Sequence, residues 1–307
     1  MRTLFAVILL AVVHVLLSAV TPAIAEPSSS AAWLALQTPA DPGSEPLRSD
    51  DEGARALERL LVTRGGLVLP KYSLEIEPEV SYSHDGASSL RTNRDTVSTV
   101  LALRVGLPFD SQAEVRMPYV IHDETSGSST SGVGDLQLSF TKELIRERDR
   151  VPTVLAMVRW QAPTGENEFL PGRLAPGTGF NIFDAQVTLV KRFDPIVFIG
   201  AAAYAVVLPE RQRGVLVEPG DVFSVKLGGI LAASPDTSVG LALNLARSER
   251  AKVAHRTVSG TDQVIGSIEL GVAQILTKRL LLNVTTEIGV TEDARDLRLS
   301  IAVPIRF

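Results

Sequence analysis

Residues 297-LRLSIAVPIRF-307 place a large apolar side chain at every odd position and Arg, Ser, Ala or Pro at every even position. The same period of two runs through 238-SVGLALNL-245 and 135-DLQLSF-140. Successive side chains of a β-strand point to opposite faces, so this period indicates strands with one apolar face. The chain from Lys71 onward is therefore predicted to be all-β.

Twelve alternating segments can be counted, and their connections alternate between short and long. Short connections include 193–195 and 277–279, whereas 83–95, 164–180 and 249–262 are long and polar. Short turns at one end and long loops at the other are typical of a transmembrane up-and-down antiparallel β-barrel. The predicted strands are approximately 72–82, 96–107, 113–123, 133–144, 153–163, 181–193, 196–208, 221–232, 237–248, 263–276, 280–291 and 296–307.

A soluble β-sandwich is the alternative fold. It has little reason to keep so many strands of 11 or more residues. Against a barrel, Pro78, Pro118 and Pro304 fall inside predicted strands, where a closed sheet offers no free edge to a residue without an N–H donor. Aromatic residues make up only 5% of the chain, so few are available for the two rings of aromatic side chains, or girdles, expected at the membrane interfaces. The girdle candidates are Tyr72, Tyr82, Tyr119, Trp160, Phe193 and Phe223.

The first 25 residues have the features of a secretory signal peptide. Arg2 precedes an apolar run from Leu4 to Leu17, and the small residues of 23-AIA-25 suit a signal peptidase, so cleavage is predicted after Ala25. The competing interpretation is an uncleaved anchor. Export without Cys suits a bacterial envelope.

Residues 26–70 are predicted to form a flexible lead and one short amphipathic helix. The helix is placed at about Asp50–Arg64, because 49-SDDE-52 has the spacing of a capping box. Leu57, Leu60 and Leu61 share one face of it. A single short helix cannot fold alone, so this face is expected to dock against, or plug, the periplasmic mouth of the barrel formed by residues 71–307.

Composition excludes several functional classes. Among 307 residues there is no Cys, which rules out disulfide frameworks, thiolate metal sites and cysteine nucleophiles. The formal net charge of -5 gives no basic footprint for nucleic acid, so no nucleic-acid partner is expected. The glycine pairs of 132-GVG-134 and 177-GTG-179 do not precede a Lys-Ser/Thr helix start, so no nucleotide or other cofactor is predicted.

If the polar set of each strand faces the lumen, the inward side carries charges of both signs. One interpretation is a polar pathway that selects or orients a solute. The other is a filled lumen, in which internal salt bridges pair the charges. The candidate pore-lining residues are Glu75, Glu77, Arg104, Glu114, Arg116, Asp135, Arg159, Asp184, Lys226, Glu269, Glu287 and Arg298, and the same inward set includes Glu79 and Arg306.

No catalytic or metal-binding pattern stands out. The histidines at 84, 122 and 255 have no short metal spacing. His122 beside Asp123, with the serines at 126, 128 and 129 nearby, could form a Ser-His-acid set, but a polar loop rich in Ser needs no catalytic explanation. The prediction is therefore a non-enzyme. The acidic loop residues Asp123, Glu124, Glu166 and Glu168 could bridge to lipopolysaccharide through divalent ions.

Four short motifs together resemble a known family. They are 132-GVGDLQL-138, 160-WQAPTG-165, 177-GTG-179 and 193-FDP-195, in that order along residues 70–307. In these motifs and their order, the chain resembles the outer-membrane transporters named for the meta-pathway of phenol degradation. The resemblance implies a barrel that passes small, aromatic or hydrophobic compounds. No ligand residues follow from it.

The sequence thus predicts a Gram-negative outer-membrane barrel of about twelve strands that acts as a channel or transporter for small solutes. A barrel of this size lies between side-chain-filled barrels and wide porins. Expected partners are outer-membrane lipid and lipopolysaccharide, the solute, and the barrel assembly machinery, because a final alternating strand ending in Phe307 resembles a sorting signal of outer-membrane proteins. The alternatives are a closed structural or adhesive barrel acting through its outer loops, and an outer-membrane hydrolase.

Overall fold

The computed structural model of the chain describes Leu61 and residues 66–86, 93–124, 129–148, 150–166 and 175–307, with only the backbone of residue 124. The predicted signal peptide, the lead and all but Leu61 of the predicted helix face lie outside the described residues. Among the described residues, no helix has the length and apolar character needed to cross a membrane.

The described chain forms a closed antiparallel barrel of twelve spans, which confirms the predicted fold. Two of the spans are each divided into two strands: one span consists of β4 and β5, and another consists of β17 and β18. The barrel strands are β1 (Leu74–Asp85), β2 (Arg94–Leu107), β3 (Ser111–Glu124), β4 (Ser129–Val133), β5 (Leu136–Ile145), β6 (Thr153–Ala162), β7 (Ile182–Phe193), β8 (Ile196–Val207), β11 (Val222–Ala232), β12 (Thr237–Ser248), β15 (Gln263–Ile275), β16 (Leu281–Gly289), β17 (Leu297–Ala302) and β18 (Ile305–Arg306).

Closure joins the first and last spans. Strand β1 pairs with β2 on one side and with β17 and β18 on the other, with Glu79 opposite Ala302 and Glu75 opposite Arg306. A closed sheet has no unpaired edge, as a barrel in lipid requires. We call the end with short connections, such as 194–195, the turn end, and the opposite end the loop end.

The three strand prolines are accommodated where the ladders are irregular. Pro118 lies opposite the break between β4 and β5, where Tyr119 pairs with Val133 but Arg116 pairs with Gln137. This offset is a bulge that adds one residue to the second strand. Pro304 lies in the gap between β17 and β18, and Pro78 faces that gap and accepts a bond from Val303 N at 3.0 Å.

Two loops at the loop end build a second, smaller sheet that the sequence did not predict. Its strands are β9 (Glu210–Gln212), β10 (Val215–Glu218), β13 (Lys252–Val253) and β14 (Arg256–Thr257), in the order β14-β13-β10-β9. His255 Nδ1 lies 3.0 Å from Glu218 Oε1 across this sheet. A hydrogen bond from Arg250 lowers the pKa of Asp262 at the base of the second loop. The two loops therefore pair into one ordered sheet.

At the turn end, the lumen face of β6, β7, β8, β11, β15 and β16 is apolar and packs against described residues that precede β1. Leu61 is fully buried, and Leu67 and Val68 pack against the same cluster. Leu69 N donates to Gln112 Oε1 at 3.0 Å, and the Pro70 carbonyl lies so close to Gly106 that a Cβ there would overlap it. The barrel residues of this cluster, here called the turn-end ring, are Leu155, Val190, Val197, Ile199, Ile230, Ala273 and Leu281.

The outer surface of the barrel is apolar and carries aromatic side chains at both ends. Near the loop end, Trp160 stacks on Phe183 with ring centroids 6.3 Å apart, and its indole N–H donates to Asn181. Near the turn end, Phe193 and Phe198 meet edge to face at 5.8 Å. Such amphipathic belts suit the two interfaces of a membrane. The other predicted girdle residues are Tyr72, Tyr82, Tyr119 and Phe223, of which Tyr72, Tyr119 and Phe223 are exposed.

Candidate functional site

The predicted lumen residues share the inward register of the strands. Along β1, for example, Glu75 and Glu77 are buried, whereas Leu74, Ile76 and Pro78 belong to the opposite face. The register carries this inward face around the barrel to the following residues: Glu75, Glu77, Arg104, Glu114, Arg116, Arg159, Asp184, Lys226, Glu269, Glu287 and Arg298. Asp135 lies between β4 and β5, outside the ladders, and is buried.

Arg104 organises the most deeply buried part of the lumen. Its side chain is 3% exposed, and Nη1 lies 2.9 Å from both Glu75 Oε1 and Glu77 Oε2. Its Nε donates to Glu114, and Nη2 donates to Glu77 Oε1 at 3.0 Å. Arg306 Nη2 in turn lies 2.9 Å from Glu75 Oε2. A fork of fixed donors that meets three carboxylates is a geometry that Lys cannot reproduce.

The network continues toward the loop end with weaker burial. Arg116 Nη2 donates to Glu79 Oε2 at 3.0 Å, and Arg298 Nη2 donates to Glu79 Oε1 at 3.3 Å. Arg116 also lies 3.7 Å from Glu114. Strands β16, β17, β1, β2 and β3 therefore form one continuous surface, here called the charged wall.

Two further ion pairs lie on the remaining strands. Arg159 on β6 binds Asp184 on β7, and Lys226 on β11 lies 2.7 Å from Glu269 on β15. Beyond the turn-end ring, much of the lumen face of β8, β11 and β12 carries small side chains. We call this the small-residue wall: Ala201, Ala203, Ala205, Gly228, Gly240, Ala242 and Ala246.

Two cavities of the lumen lie on either side of the Lys226–Glu269 pair. A polar cavity of about 270 Å³ lies against the charged wall. A second cavity of about 200 Å³ lies against the small-residue wall. Lys226 lines the second cavity and Glu269 the first. The polar cavity is lined by Glu77, Glu79, Arg116, Glu269, Asn283, Thr285, Glu287, Arg298, Ser300 and Ala302.

Asp135 lies in the bulge between β4 and β5 and binds the loop between β6 and β7. Its carboxylate accepts bonds from Gly165 N at 3.0 Å, Thr178 N at 2.7 Å, Thr178 Oγ1 at 2.6 Å and Gln161 Nε2 at 3.1 Å. A Cβ at Gly165 would lie 2.6 Å from the carbonyl carbon of Gly134, so only Gly fits. Three of the motifs noted in the sequence therefore meet at one carboxylate that fixes a loop.

Replacing Asp135 by Ala is expected to release this loop while the barrel stays closed. The change leaves donors of Gly165, Thr178 and Gln161 without their acceptor, and bonds to a charged group contribute about 1.5–3 kcal/mol each. Limited proteolysis of the refolded protein is expected to cleave within residues 163–181 at least tenfold faster than in the wild type. Asp236→Asn, in a turn at the other end, is the control, and an unchanged rate in D135A contradicts the assignment.

The arrangement gives little support to a hydrolase. His122 Nδ1 lies 3.0 Å from Thr96 Oγ1, while Asp123 belongs to the opposite face of the same strand. A His84–Asp95 pair of 2.8 Å lies on the outward face, and its register neighbour on β17 is Leu297. The serines at 126 and 128 lie outside the described residues. Among the described residues, no group of His, Asp or Glu is arranged to hold a metal ion.

No family model matches the chain. Its fold is similar to that of an outer-membrane channel from Pseudomonas putida F1, with a TM-score of 0.71, 16% identity, and coverage of 78% of this chain and 97% of that chain. The β domain of the Bordetella autotransporter BrkA is similar with a TM-score of 0.51, 11% identity, and coverage of 78% and 100%. At such identities the likeness shows the fold alone, that of an outer-membrane β-barrel.

Proposed function

We propose that the chain is a bacterial outer-membrane channel that lets small solutes diffuse through its lumen. The observation that carries this proposal is a polar lumen that still admits water. Although they point into the barrel, the side chains of Arg116, Arg298 and Lys226 remain 29%, 33% and 35% exposed. A barrel filled for stability alone would bury such groups, because charges removed from water must be fully paired.

The two walls of the lumen favour a solute with a polar and an apolar part. Opposed charges on one side can orient a polar group, as rings of charge do in selective pores. The small-residue wall offers apolar surface without bulk. Together with the resemblance to the phenol meta-pathway transporters, this supports small aromatic or hydrophobic compounds as the substrate class. Outer-membrane lipid, lipopolysaccharide and the barrel assembly machinery complete the proposed partners.

Liposome swelling tests the proposal directly. Proteoliposomes that contain the refolded mature protein are expected to swell in an isosmotic solution of the small sugar L-arabinose and much more slowly in the trisaccharide raffinose. Liposomes with heat-denatured protein serve as the control. Swelling in neither sugar by a barrel that is demonstrably folded, both with residues 26–66 present and with them removed, contradicts a channel for small solutes.

A closed barrel that acts through its outer loops is the second candidate, and the small sheet of β9, β10, β13 and β14 is the observation that favours it. The hydrolase alternative predicts that His122→Ala abolishes a hydrolytic activity. Since His122 bonds Thr96 inside the barrel, we expect H122A to leave solute permeation within about twofold of the wild type in the swelling assay. A tenfold loss of permeation would show that this histidine belongs to the solute path.

A further inference from the structure

Glu287 lies inside the barrel without a cationic partner among the described residues. Its register neighbours are Glu269 on β15 and Arg298 on β17. Lys226 holds Glu269 at 2.7 Å, whereas the Arg298 guanidinium contacts Glu79 and Ser81 instead of Glu287. Glu287 itself accepts a bond from the hydroxyl of Ser267. The like charge of Glu269 directly opposite on β15 is unfavourable for Glu287, and Arg298 opposite on β17 makes no contact that offsets it.

The charges that contact one another around this site agree with this placement. The network around Arg104, the Lys226–Glu269 pair and Glu287 together comprise six carboxylates and five cationic groups, so Glu287 is the member of this set that no described cation contacts; the Asp85–Arg94 pair lies outside the set. The carboxylates are Glu75, Glu77, Glu79, Glu114, Glu269 and Glu287, and the cations are Arg104, Arg116, Lys226, Arg298 and Arg306.

Asn283 supplies an independent observation in the same cavity. Its side chain is 8% exposed and its Oδ1 has no hydrogen-bond partner. It lines the polar cavity of about 270 Å³ together with Glu287 and Thr285. Arg116 and Arg298 also line this cavity, but both contact other carboxylates. A buried carbonyl without a partner and a carboxylate that no described cation contacts suit a ligand that donates hydrogen bonds and carries positive charge.

We propose that this cavity binds the ammonium group of a small organic amine, with Glu287 as the counter-ion and Asn283 and Thr285 as further acceptors. An ammonium group has three donors and no acceptor, which matches this oxygen set. A bare metal ion fits less well, since the described residues hold no cluster of carboxylates and histidines arranged for one. The inference rests on the proposed channel function and names a substrate class for it.

The apolar part of such an amine would extend past the Lys226–Glu269 pair to the small-residue wall. The second cavity there is lined by Ile199, Ala201, Ala203, Gly228 and Ala242, among others. Benzylammonium, which joins a primary ammonium to one aromatic ring, is therefore a suitable probe. Benzyl alcohol has the same ring without the charge.

Isothermal titration of the refolded mature protein in detergent with benzylammonium chloride tests the inference, with empty micelles subtracted. Wild type is expected to bind benzylammonium at least tenfold more tightly than benzyl alcohol. Glu287→Gln, which keeps the side-chain shape, is expected to weaken benzylammonium binding at least tenfold and to leave benzyl alcohol within twofold. Glu210→Gln on β9 is the matched control and is expected to bind as wild type does. Asn283→Ala, a second variant in case E287Q fails to fold, is expected to weaken benzylammonium binding at least threefold.

Equal affinity for the amine and the alcohol, or unchanged amine affinity in both E287Q and N283A, overturns the inference. These outcomes are distinct from failure of the channel. A barrel that passes arabinose but does not distinguish the two probes refutes only the amine site. A barrel that binds benzylammonium through Glu287 but passes no solute refutes the channel and leaves the binding site standing.

Discussion

Replacing Arg104 by Met is expected to cause the largest loss of stability of any single substitution in the barrel. Arg104 is almost fully buried and serves Glu75, Glu77 and Glu114 at once. Removing it leaves three carboxylates inside the barrel without their shared cation. Breaking a buried ion pair from one side costs about 3–5 kcal/mol, and the free energy of unfolding is expected to fall by at least that amount.

Urea unfolding of the barrel refolded into lipid vesicles measures this effect, with heat-modifiable migration on gels as the check for folding. Arg146→Met is the matched control, because Arg146 bonds Glu143 and Asp110 in an exposed turn. Exposed pairs contribute less than about 1 kcal/mol, so R146M is expected to unfold nearly as wild type does. Arg104→Lys is expected to recover only part of the stability. Equal loss in R104M and R146M contradicts a central role for the buried network.

Removal of residues 26–66 is expected to open the turn end of the lumen. This deletion takes away Leu61, which packs against the turn-end ring, and loosens Leu67 and Val68. Raffinose, expected to permeate slowly in the wild type, is then expected to enter proteoliposomes at least tenfold faster. The same deletion is expected to lower the free energy of unfolding, since emptying one buried Leu site costs about 2–5 kcal/mol.

A point substitution distinguishes opening of the turn end from a general loss of barrel stability. Leu61→Asp places a charge in the apolar ring and is expected to expel the segment, with faster raffinose entry. Leu61→Met keeps the volume and apolar character and is expected to behave as the wild type. If deletion of residues 26–66 changes neither permeability nor stability, the docking role of this segment is wrong.

Most of the barrel could be predicted because one physical rule governs it. Each span must face lipid on one side and the lumen on the other, so the period of two is strict, and β12 runs from Thr237 to Ser248 as predicted. The strands of the small loop sheet are only two to four residues long, which is too short to show a period.

The bulge at Asp135 left a trace that could have been noticed. Val133, Leu136 and Leu138 are the apolar positions there, and the step of three between the first two breaks the period of two. Such a step moves all later apolar side chains of the strand to the other face of the sheet, unless a bulge adds one residue. The roles of Gly165 and Thr178 as partners of Asp135 could not be predicted, because only the folded loop brings these two residues to the carboxylate.

The inward position of the charged residues followed from the sequence, but their pairing did not. Glu79 and Arg298 are 219 residues apart, and they meet only because β1 closes against β17. The pairings of β16 with β15 and β17 give Glu287 two charged neighbours, and the closure draws Arg298 to Glu79, so that no described cation contacts Glu287. Pairing across a closure depends on the shear of the whole barrel, which no local pattern encodes.

Single-channel conductance of the refolded mature protein in a planar bilayer tests the central claim most directly. The water-accessible, charged lumen predicts discrete current steps whose size grows with salt concentration and which aromatic solutes reduce by block. Wild type is expected to show small or infrequent steps, because Leu61, Leu67 and Val68 pack against the turn-end ring. Silence from a heat-modifiable, folded barrel, both with residues 26–66 present and with them removed, would contradict the channel.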